Sequence, residues 1–241
     1  MSSLSIEMSD NLQAVSNPIR DELIHLDGVQ SISLRRQDII FSPEKPAACL
    51  YVVESGFIKL GRLESSGREV IVRIAGPGDL CGEYILWATG QSGLNGSVLT
   101  AEVIQDATLY AISRDAFMRH AESHPQVWRA LAEILATRER ELEKRVALLA
   151  LRDVEYRILF FLAELACLFG SGSPGDCPLP VTQRELACYV GATRETTSST
   201  LNALARRGLV RLGRRLLIVP SVEALRSALQ ERSVKAVAGS L

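Results

Sequence analysis

The chain has 241 residues, of which 47% are apolar, and its formal net charge is −1. This length exceeds that of a usual single domain and predicts two domains with ordinary apolar cores. The five cysteines form no CxxC pair, which argues against a disulfide framework, a zinc site or an iron–sulfur cluster. No secretory signal is visible and no apolar run approaches the ~20 residues of a membrane span. We therefore expect a cytoplasmic protein with no membrane partner.

The first half of the chain predicts β structure after a short helical lead-in over residues 1–28. From residue 29 to residue 113, β-rich runs alternate with turn residues at spacings of about 8–12 residues, which is typical of an antiparallel sandwich or barrel. The run ESSGRE at residues 64–69 predicts the tip of a hairpin between two of these strands.

A long helix is predicted from Pro125 to about Leu151. Its apolar residues form a narrow stripe with charged flanks, and four of them recur every seven residues. This pattern favours a coiled-coil seam between two copies of the chain, and packing onto the protein's own β domain is the alternative. The predicted seam residues are Trp128, Leu131, Leu135, Leu142, Val146 and Leu149.

The most informative segment is VTQRELACYVGATRETTSSTLNALARRGLVRLGRRLLIV at residues 181–219, which follows an apolar helix and a loop over residues 170–180. Thr182 is a good cap for a first short helix, and Thr193 for a second. Gly191 between them tolerates the left-handed geometry that ends a helix. The segment predicts a helix-turn-helix followed by a basic hairpin, or wing, with the second helix free to enter a DNA major groove.

Basic residues are concentrated in this part of the chain. Residues 151–241 hold 12 Lys and Arg against 8 Asp and Glu, a net charge of +4, whereas residues 1–150 hold 15 against 20, a net of −5. Such an excess of positive charge suits phosphate binding. On the exposed face of the second helix, Arg can read guanine, and Glu can accept a hydrogen bond from the amino group of cytosine. The residues predicted to contact double-stranded DNA are Thr182, Arg184, Thr193, Arg194, Glu195, Ser198, Ser199, Asn202, Arg214 and Arg215.

Three motifs, which follow one another along the chain, resemble those of the family of the cyclic-AMP receptor protein and the fumarate-nitrate regulator, the Crp/Fnr family. The resemblance covers about residues 28–219. LYVVESGFIKL and GPGDLCGE are similar to two motifs of its sensor domain, and GATRETTSSTLNALARRGLV to its recognition helix. The resemblance implies an α+β fold with an N-terminal cyclic-nucleotide-binding-like β-roll (a jelly-roll), a long dimerisation helix and a C-terminal winged helix-turn-helix. It predicts a sensor domain with its helical lead-in at 1–124, a dimerisation helix and hinge at 125–151, and a DNA-binding domain at 152–241.

The resemblance also implies an effector pocket, and here the chain departs from the cyclic-AMP binders. Their pocket holds the cyclic phosphate with an Arg-Ser pair, where this chain has Ser97 and Val98, and their adenine-contacting Thr-Ser pair corresponds to Leu142 and Glu143. A phosphate buried without its cation is strongly disfavoured, so we predict no cyclic-AMP binding in the family's usual manner. The predicted pocket residues are Gly82, Glu83, Ser97, Val98, Leu142 and Glu143.

The recognition helix departs from the family as well. Five positions after the Arg of its R-E-T motif the family usually has a second Arg that reads a guanine, and this chain has Ser199 there. We expect a half-site related to the family's TGTGA or TTGAT pattern, with a relaxed preference at the base pair that this Arg would read.

These features predict a homodimeric transcription regulator that binds a palindromic promoter site and answers to an unidentified small-molecule effector by motion about a hinge at Leu151–Asp153. RNA polymerase is a further expected partner, by analogy, through the loop GSGSPGDC at residues 170–177. No nucleophile elbow, P-loop, paired catalytic carboxylates or metal-ligand cluster is apparent, so we expect neither an enzyme nor a metal site.

Three alternatives stay open within the same fold. The first is a constitutively active regulator whose pocket is filled by apolar residues. The second is control by haem, for which His25, His120 and His124 are the histidines present, or by redox chemistry at Cys81, although we predict no cofactor. The third is a ligand-binding module with weakened DNA binding.

Overall fold

The computed structural model describes residues 19–87, 98–170 and 175–238. It divides into two compact units, Met1–Leu142 and Glu143–Leu241, and the division falls inside one long helix. No helix in the described part of the chain is long and apolar enough to cross a membrane.

The first unit is built on a six-stranded antiparallel sheet, as the alternation of β-rich runs and turns predicts. Its strands follow the order β1-β6-β3-β4, while β2 pairs with β6 and β5 with β3. The turn between β3 and β4 contains Gly67 at a φ of 79°, which confirms the predicted hairpin tip. The strands are β1 (Gln30–Leu34), β2 (Ile39–Phe41), β3 (Leu50–Leu63), β4 (Glu69–Ala75), β5 (Leu80–Cys81) and β6 (Thr100–Ile112).

Strand β3 is buried on both faces at its start, because side chains that alternate along it enter two different cores. Tyr51 and Val53 join Phe41 in a core formed by strand residues. Leu50 and Val52 join a second core, which the strands share with helical residues. The helical residues of this unit lie at 19–23, in a 3-10 helix (Glu83–Leu86), in α1 (Arg114–Ser123) and in the first part of α2 (Gln126–Leu151).

The position of α2 corrects the predicted dimer seam at Leu131, near the start of the helix. Leu131 is 1% exposed in the core of its own unit, and Trp128 and Leu135 pack partly against that core. The alternative interpretation, packing onto the β domain, therefore holds for the first half of the helix. Leu142 and Val146 are 47% and 64% exposed, and Leu149 is also exposed, so only the second half keeps an uncovered apolar stripe.

A buried ion pair connects the 3-10 helix to α2 within this unit. An Nη1–H of Arg138 donates to Oε1 of Glu83, and its Nη2 donates to the carbonyl oxygen of Leu80 at 2.8 Å. Burial alone would raise the pKa of Glu83, but the guanidinium groups of Arg138 and Arg73 lower it below its usual value. The contribution of this pair to stability is therefore complete at neutral pH and is lost as the pH falls through the folded-state pKa.

The second unit contains the helix-turn-helix and the wing. Its three-stranded sheet has the order β7-β9-β8, and β7 pairs with β9 inside the segment predicted to be a loop. The prediction is wrong there because Pro178 and Pro180 indicated a loop rather than a strand. Proline is nevertheless tolerated in a strand at the edge of a sheet, which is the position of β7. The elements are α3 (Val154–Phe169), β7 (Cys177–Leu179), α4 (Gln183–Val190), α5 (Arg194–Arg206), β8 (Arg211–Gly213), β9 (Leu216–Val219) and α6 (Val222–Ala238).

The last turns of α2 pack within the second unit. The guanidinium carbon of Arg145 lies 4.4 Å from the ring centroid of Tyr189 and 5.0 Å from that of Phe161. Arg145 also donates a hydrogen bond to the carbonyl oxygen of Tyr189, and burial lowers its pKa. The predicted hinge at Leu151–Asp153 lies inside this unit, where Asp153 caps α3 and pairs with Arg232 at 2.5 Å.

Replacing Glu83 with Gln tests the buried ion pair. E83Q leaves the Arg138 guanidinium buried without its counter-charge and should lower the free energy of unfolding of the first unit by about 3 kcal/mol. The two tryptophans of the chain, Trp87 and Trp128, both lie in this unit, so their fluorescence during a urea titration follows it. The double variant E83Q/R138M should recover part of the loss, and an E83Q protein as stable as wild type would contradict the pair's role.

Candidate nucleic-acid interface and effector pocket

The first helix of the helix-turn-helix begins at a complete capping box. The backbone N–H of Glu185 donates to Oγ1 of Thr182 at 3.1 Å, and the backbone N–H of Thr182 donates to Oε2 of Glu185 at 2.6 Å. Leu186 and Val190 are fully buried on one face of α4, as their spacing of four residues predicts. This burial leaves Arg184 exposed at the start of the helix.

Gly191 makes the turn between the two helices. Its φ is 66°, and a Cβ atom built there would lie 2.9 Å from Cδ2 of Leu149. Thr193 then caps α5 by accepting a hydrogen bond from the backbone N–H of Thr196 at 3.2 Å. Both predicted caps and the predicted turn glycine are confirmed, and together they set the direction in which α5 leaves the turn.

The recognition helix α5 has one buried face and one exposed face. Thr197, Leu201 and Leu204 are 0% exposed, so the helix is anchored along its predicted apolar stripe. The opposite face carries those predicted DNA contacts that belong to this helix. Arg194, Glu195, Ser199 and Asn202 are exposed there, and Ser198 is half-buried beside them.

Ser199 uses its hydroxyl group within the helix. Its Oγ donates to the carbonyl oxygen of Thr196 at 3.0 Å, a bond that holds the short side chain against the helix backbone. An arginine at this position would instead project a planar set of donors away from the helix. The position expected to read a guanine therefore presents no long-range donor.

The wing ends in two adjacent arginines, Arg214 and Arg215, which are both exposed between β8 and β9. Arg207 and Arg211 in the same basic cluster are paired with Glu155 and Asp176 respectively. Within the described residues, no ion pair involves the wing-tip arginines or those at the start of α4 and α5. Among the predicted DNA contacts, Arg184, Arg194, Arg214 and Arg215 are therefore exposed cations with no ion-pair partner in the described part of the chain.

Arg215 also has an unusual backbone conformation, with a φ of 61°. Left-handed geometry costs a residue with a Cβ atom about 1–2 kcal/mol. The pairing of Leu212 with Leu217 and of Gly213 with Leu216 holds the two strands so closely that the turn requires it. An arginine rather than a glycine at this point keeps a positive charge at the end of the wing.

The predicted effector-pocket residues are only partly brought together. Gly82 has a φ of 82°, and a Cβ atom there would lie 2.8 Å from the carbonyl oxygen of Cys49, so the backbone needs glycine immediately before Glu83. Val98 is 61% exposed and Leu142 is also exposed, which gives no support to a pocket filled by these two residues. Ser97 lies outside the described residues, and Glu143 is exposed in the second unit.

Sequence reasoning missed two arginines beside Glu83. Arg73 on β4 donates from Nη2 to the carbonyl oxygen of Leu80 at 2.9 Å, and its Nη1 lies 3.8 Å from Oδ1 of Asp79. Arg138 reaches the same carbonyl from α2. In the sequence, Ser97 and Val98 stand where the family has its Arg-Ser pair, whereas Arg73 and Arg138 belong to elements distant in sequence. Arg138 lies one helical turn before Leu142, a spacing that could have indicated it.

The environment of Cys81 does not support control of the protein by redox chemistry at this residue. Its side chain is fully buried, and burial raises the pKa of the thiol to about 12. The thiolate is the reactive form of cysteine, so a buried thiol of this kind is inert at neutral pH.

Comparisons with known proteins agree with this geometry. Residues 31–124 match the family model of the cyclic nucleotide-binding domain, and residues 156–228 match that of the Crp-like helix-turn-helix domain. A CRP-like cAMP-activated global transcriptional regulator of Mycobacterium tuberculosis is 32% identical over 83% of this chain and 88% of its own length. A nitrogen fixation regulation protein FixK of Bradyrhizobium diazoefficiens is 30% identical over 79% of each chain.

The solved structure of FixK2 from Bradyrhizobium japonicum has a TM-score of 0.70 to this chain at 28% identity, covering 83% of this chain and 96% of that one. The predicted α+β fold, with its β-roll, long helix and winged helix-turn-helix, is confirmed. These relatives are transcription regulators rather than enzymes. The chain therefore belongs to the Crp/Fnr family of DNA-binding transcription regulators.

Proposed function

We propose that the protein acts as a homodimer on a palindromic promoter site in the cytoplasm, and that cyclic AMP does not control it. The observation that carries the proposal is the exposed face of α5, where Arg194, Glu195 and Asn202 stand clear of the helix-turn-helix core. Unpaired arginines at the wing tip add phosphate contacts on the same unit. Base-reading groups on a helix and cations on an adjacent hairpin together fit a major groove and its flanking backbone.

Dimerisation is supported by the apolar stripe that remains exposed on α2. Leu142, Val146 and Leu149 lie at spacings of four and three residues, so they share one helix face. Water-exposed leucine and valine at successive turns of a helix are stabilised when a second copy covers them. A two-fold dimer would present two recognition helices to two half-sites, which is the geometry that a palindrome requires.

Independence from cyclic AMP is supported by the charge balance beside Glu83. The two guanidinium groups, of Arg73 and Arg138, face two carboxylates, of Glu83 and Asp79. No net positive charge is left there for a cyclic phosphate, and the segment that follows Glu83 in the sequence supplies none up to Arg114. Contact of the loop at 170–177 with RNA polymerase stays part of the proposal, by analogy, and residues 171–174 of it lie outside the described residues.

Isothermal titration of the full chain with cyclic AMP tests the effector proposal directly. We expect no heat of binding at micromolar nucleotide, because a buried phosphate would lack its counter-charge. The relative from Mycobacterium tuberculosis, whose name states activation by cAMP, serves as the positive control. Micromolar binding by this chain would contradict the proposal.

Selection from a random DNA library tests how α5 reads its site. We expect wild type to tolerate several bases at the position that Ser199 faces, and S199R to gain about 1–3 kcal/mol of discrimination for guanine there. S199A is the matched control, because it removes the hydroxyl group without adding a reader and should select like wild type. A strict guanine selected by wild type would be inconsistent with this interpretation.

Arg215 allows charge and backbone geometry to be separated at the wing tip. Asn accepts a positive φ readily, so R215N should change the free energy of unfolding by less than about 1 kcal/mol. DNA affinity in gel shifts should fall for all sequences alike, and the slope of log affinity against log salt should decrease by about 1. R215K keeps the charge and should keep the slope. If R215N and wild type share one slope, Arg215 makes no phosphate contact.

A further inference from the structure

Two histidines and a glutamate converge on the surface of the first unit, and none of them belongs to the predicted DNA contacts or to the predicted effector pocket. Nε2 of His120 lies 2.9 Å from Oε1 of Glu22, and the rings of His120 and His124 stack with their centroids 4.2 Å apart. One ligand atom from each of the three side chains lies within 4.8 Å of the other two. Sequence reasoning treated these histidines as isolated and expected no metal site.

The fold holds all three groups in place. His120 and His124 are four residues apart at the end of α1, so successive turns bring them to one side of the helix. Ala116, Phe117 and Ala121 anchor α1 in the core. Glu22 belongs to the helical residues 19–23, whose Ile19 and Leu23 are 1% and 0% exposed in that same core.

We propose that Glu22, His120 and His124 form a binding site for a divalent transition metal of the zinc class. Imidazole nitrogen and carboxylate oxygen are ligands that Zn²⁺ prefers, and three protein ligands leave a fourth position for water. Two histidines four residues apart on a helix are a common half of such a site. His124 is exposed and the other two side chains are half-buried, so an ion can enter from solvent.

The distances are compatible with this ion after a small adjustment. Ligand atoms about 2.1 Å from a tetrahedral Zn²⁺ lie roughly 3.4 Å from one another. The 2.9 Å contact between His120 and Glu22 therefore has to widen slightly. The remaining separations between ligand atoms are at most 4.8 Å and have to shorten where they exceed the separation that tetrahedral Zn²⁺ requires. A carboxylate on a rotatable side chain can make such a shift without moving the backbone.

Neighbouring polar groups orient the ligands. Nε2 of Gln126 donates to Oε1 of Glu22 at 3.2 Å, and Oγ of Ser123 lies 3.0 Å from Nδ1 of His124. In metal sites, hydrogen bonds from neighbouring groups to the ligand side chains fix the orientation of the ring and the carboxylate. A bound ion would join residues 19–23 to the end of α1, and the hydrogen bond from Gln126 would connect this site to the first residue of α2. The proposal does not depend on DNA binding.

Titration of the full-length chain with Zn²⁺, followed by calorimetry, tests the site. We expect one ion per chain and an affinity at least about tenfold lower in H124A and in E22Q. E22Q keeps the size of the side chain and guards against loss of folding, which unchanged tryptophan fluorescence would verify. H25A is the matched control, because His25 is the remaining histidine of the chain and is exposed. It should bind as tightly as wild type.

Cysteine thiolates are the competing ligands, and Cys167 is exposed. Co²⁺ used as a spectroscopic probe distinguishes the two ligand classes, because a thiolate ligand adds sulfur-to-cobalt charge-transfer absorption and imidazole does not. We expect no such absorption, and equal binding by C167S and wild type. The proposal is overturned if wild type binds no Zn²⁺, if H124A and E22Q both bind it as wild type does, or if C167S alone loses binding.

Discussion

A single unbroken helix of 26 residues, α2, belongs to both compact units. The buried residues of this one helix therefore have to fit two different cores. Near its start α2 buries Val127, Leu131 and Ile134 among the residues of the first unit, and near its end it buries Leu148 in the second. A substitution in α2 can therefore disturb the core of either unit, depending on where along the helix it falls.

Two arginines seven residues apart, one at the middle of α2 and one nearer its end, attach the helix to the two cores, and each is stabilised differently. Arg138 faces a carboxylate, so its burial depends on an opposite charge. Arg145 faces two aromatic rings and a backbone carbonyl, and its burial depends on stacking and a hydrogen bond. Lysine has neither the planar donor set nor the stacking surface for these roles. The charged flanks of this helix, which were predicted to border a coiled-coil seam, include the two groups that attach it to each core.

Local sequence patterns predicted the helix-turn-helix well. The caps at Thr182 and Thr193 and the turn at Gly191 depend on residues within one or two helical turns, so the sequence shows them directly. The predicted seam was wrong at Leu131, because an apolar stripe on a helix does not distinguish a partner helix from the protein's own sheet. Arg73 was missed because only folding brings it beside Glu83. The pair His120 and His124 was visible in the sequence as a four-residue spacing, whereas the approach of Glu22 was not.

The hydroxyl group of Ser199, which is bonded to its own helix, bears on the number of sites in a genome that this protein can occupy. In the two-fold site proposed above, one unread position in each half would leave two base pairs free, and the set of matching sequences would grow roughly sixteen-fold. Competing sites would then bind more of the protein, and occupancy of any one promoter would depend more steeply on how much protein the cell makes. A single short side chain would thereby shift control from the affinity of a site toward the abundance of the regulator.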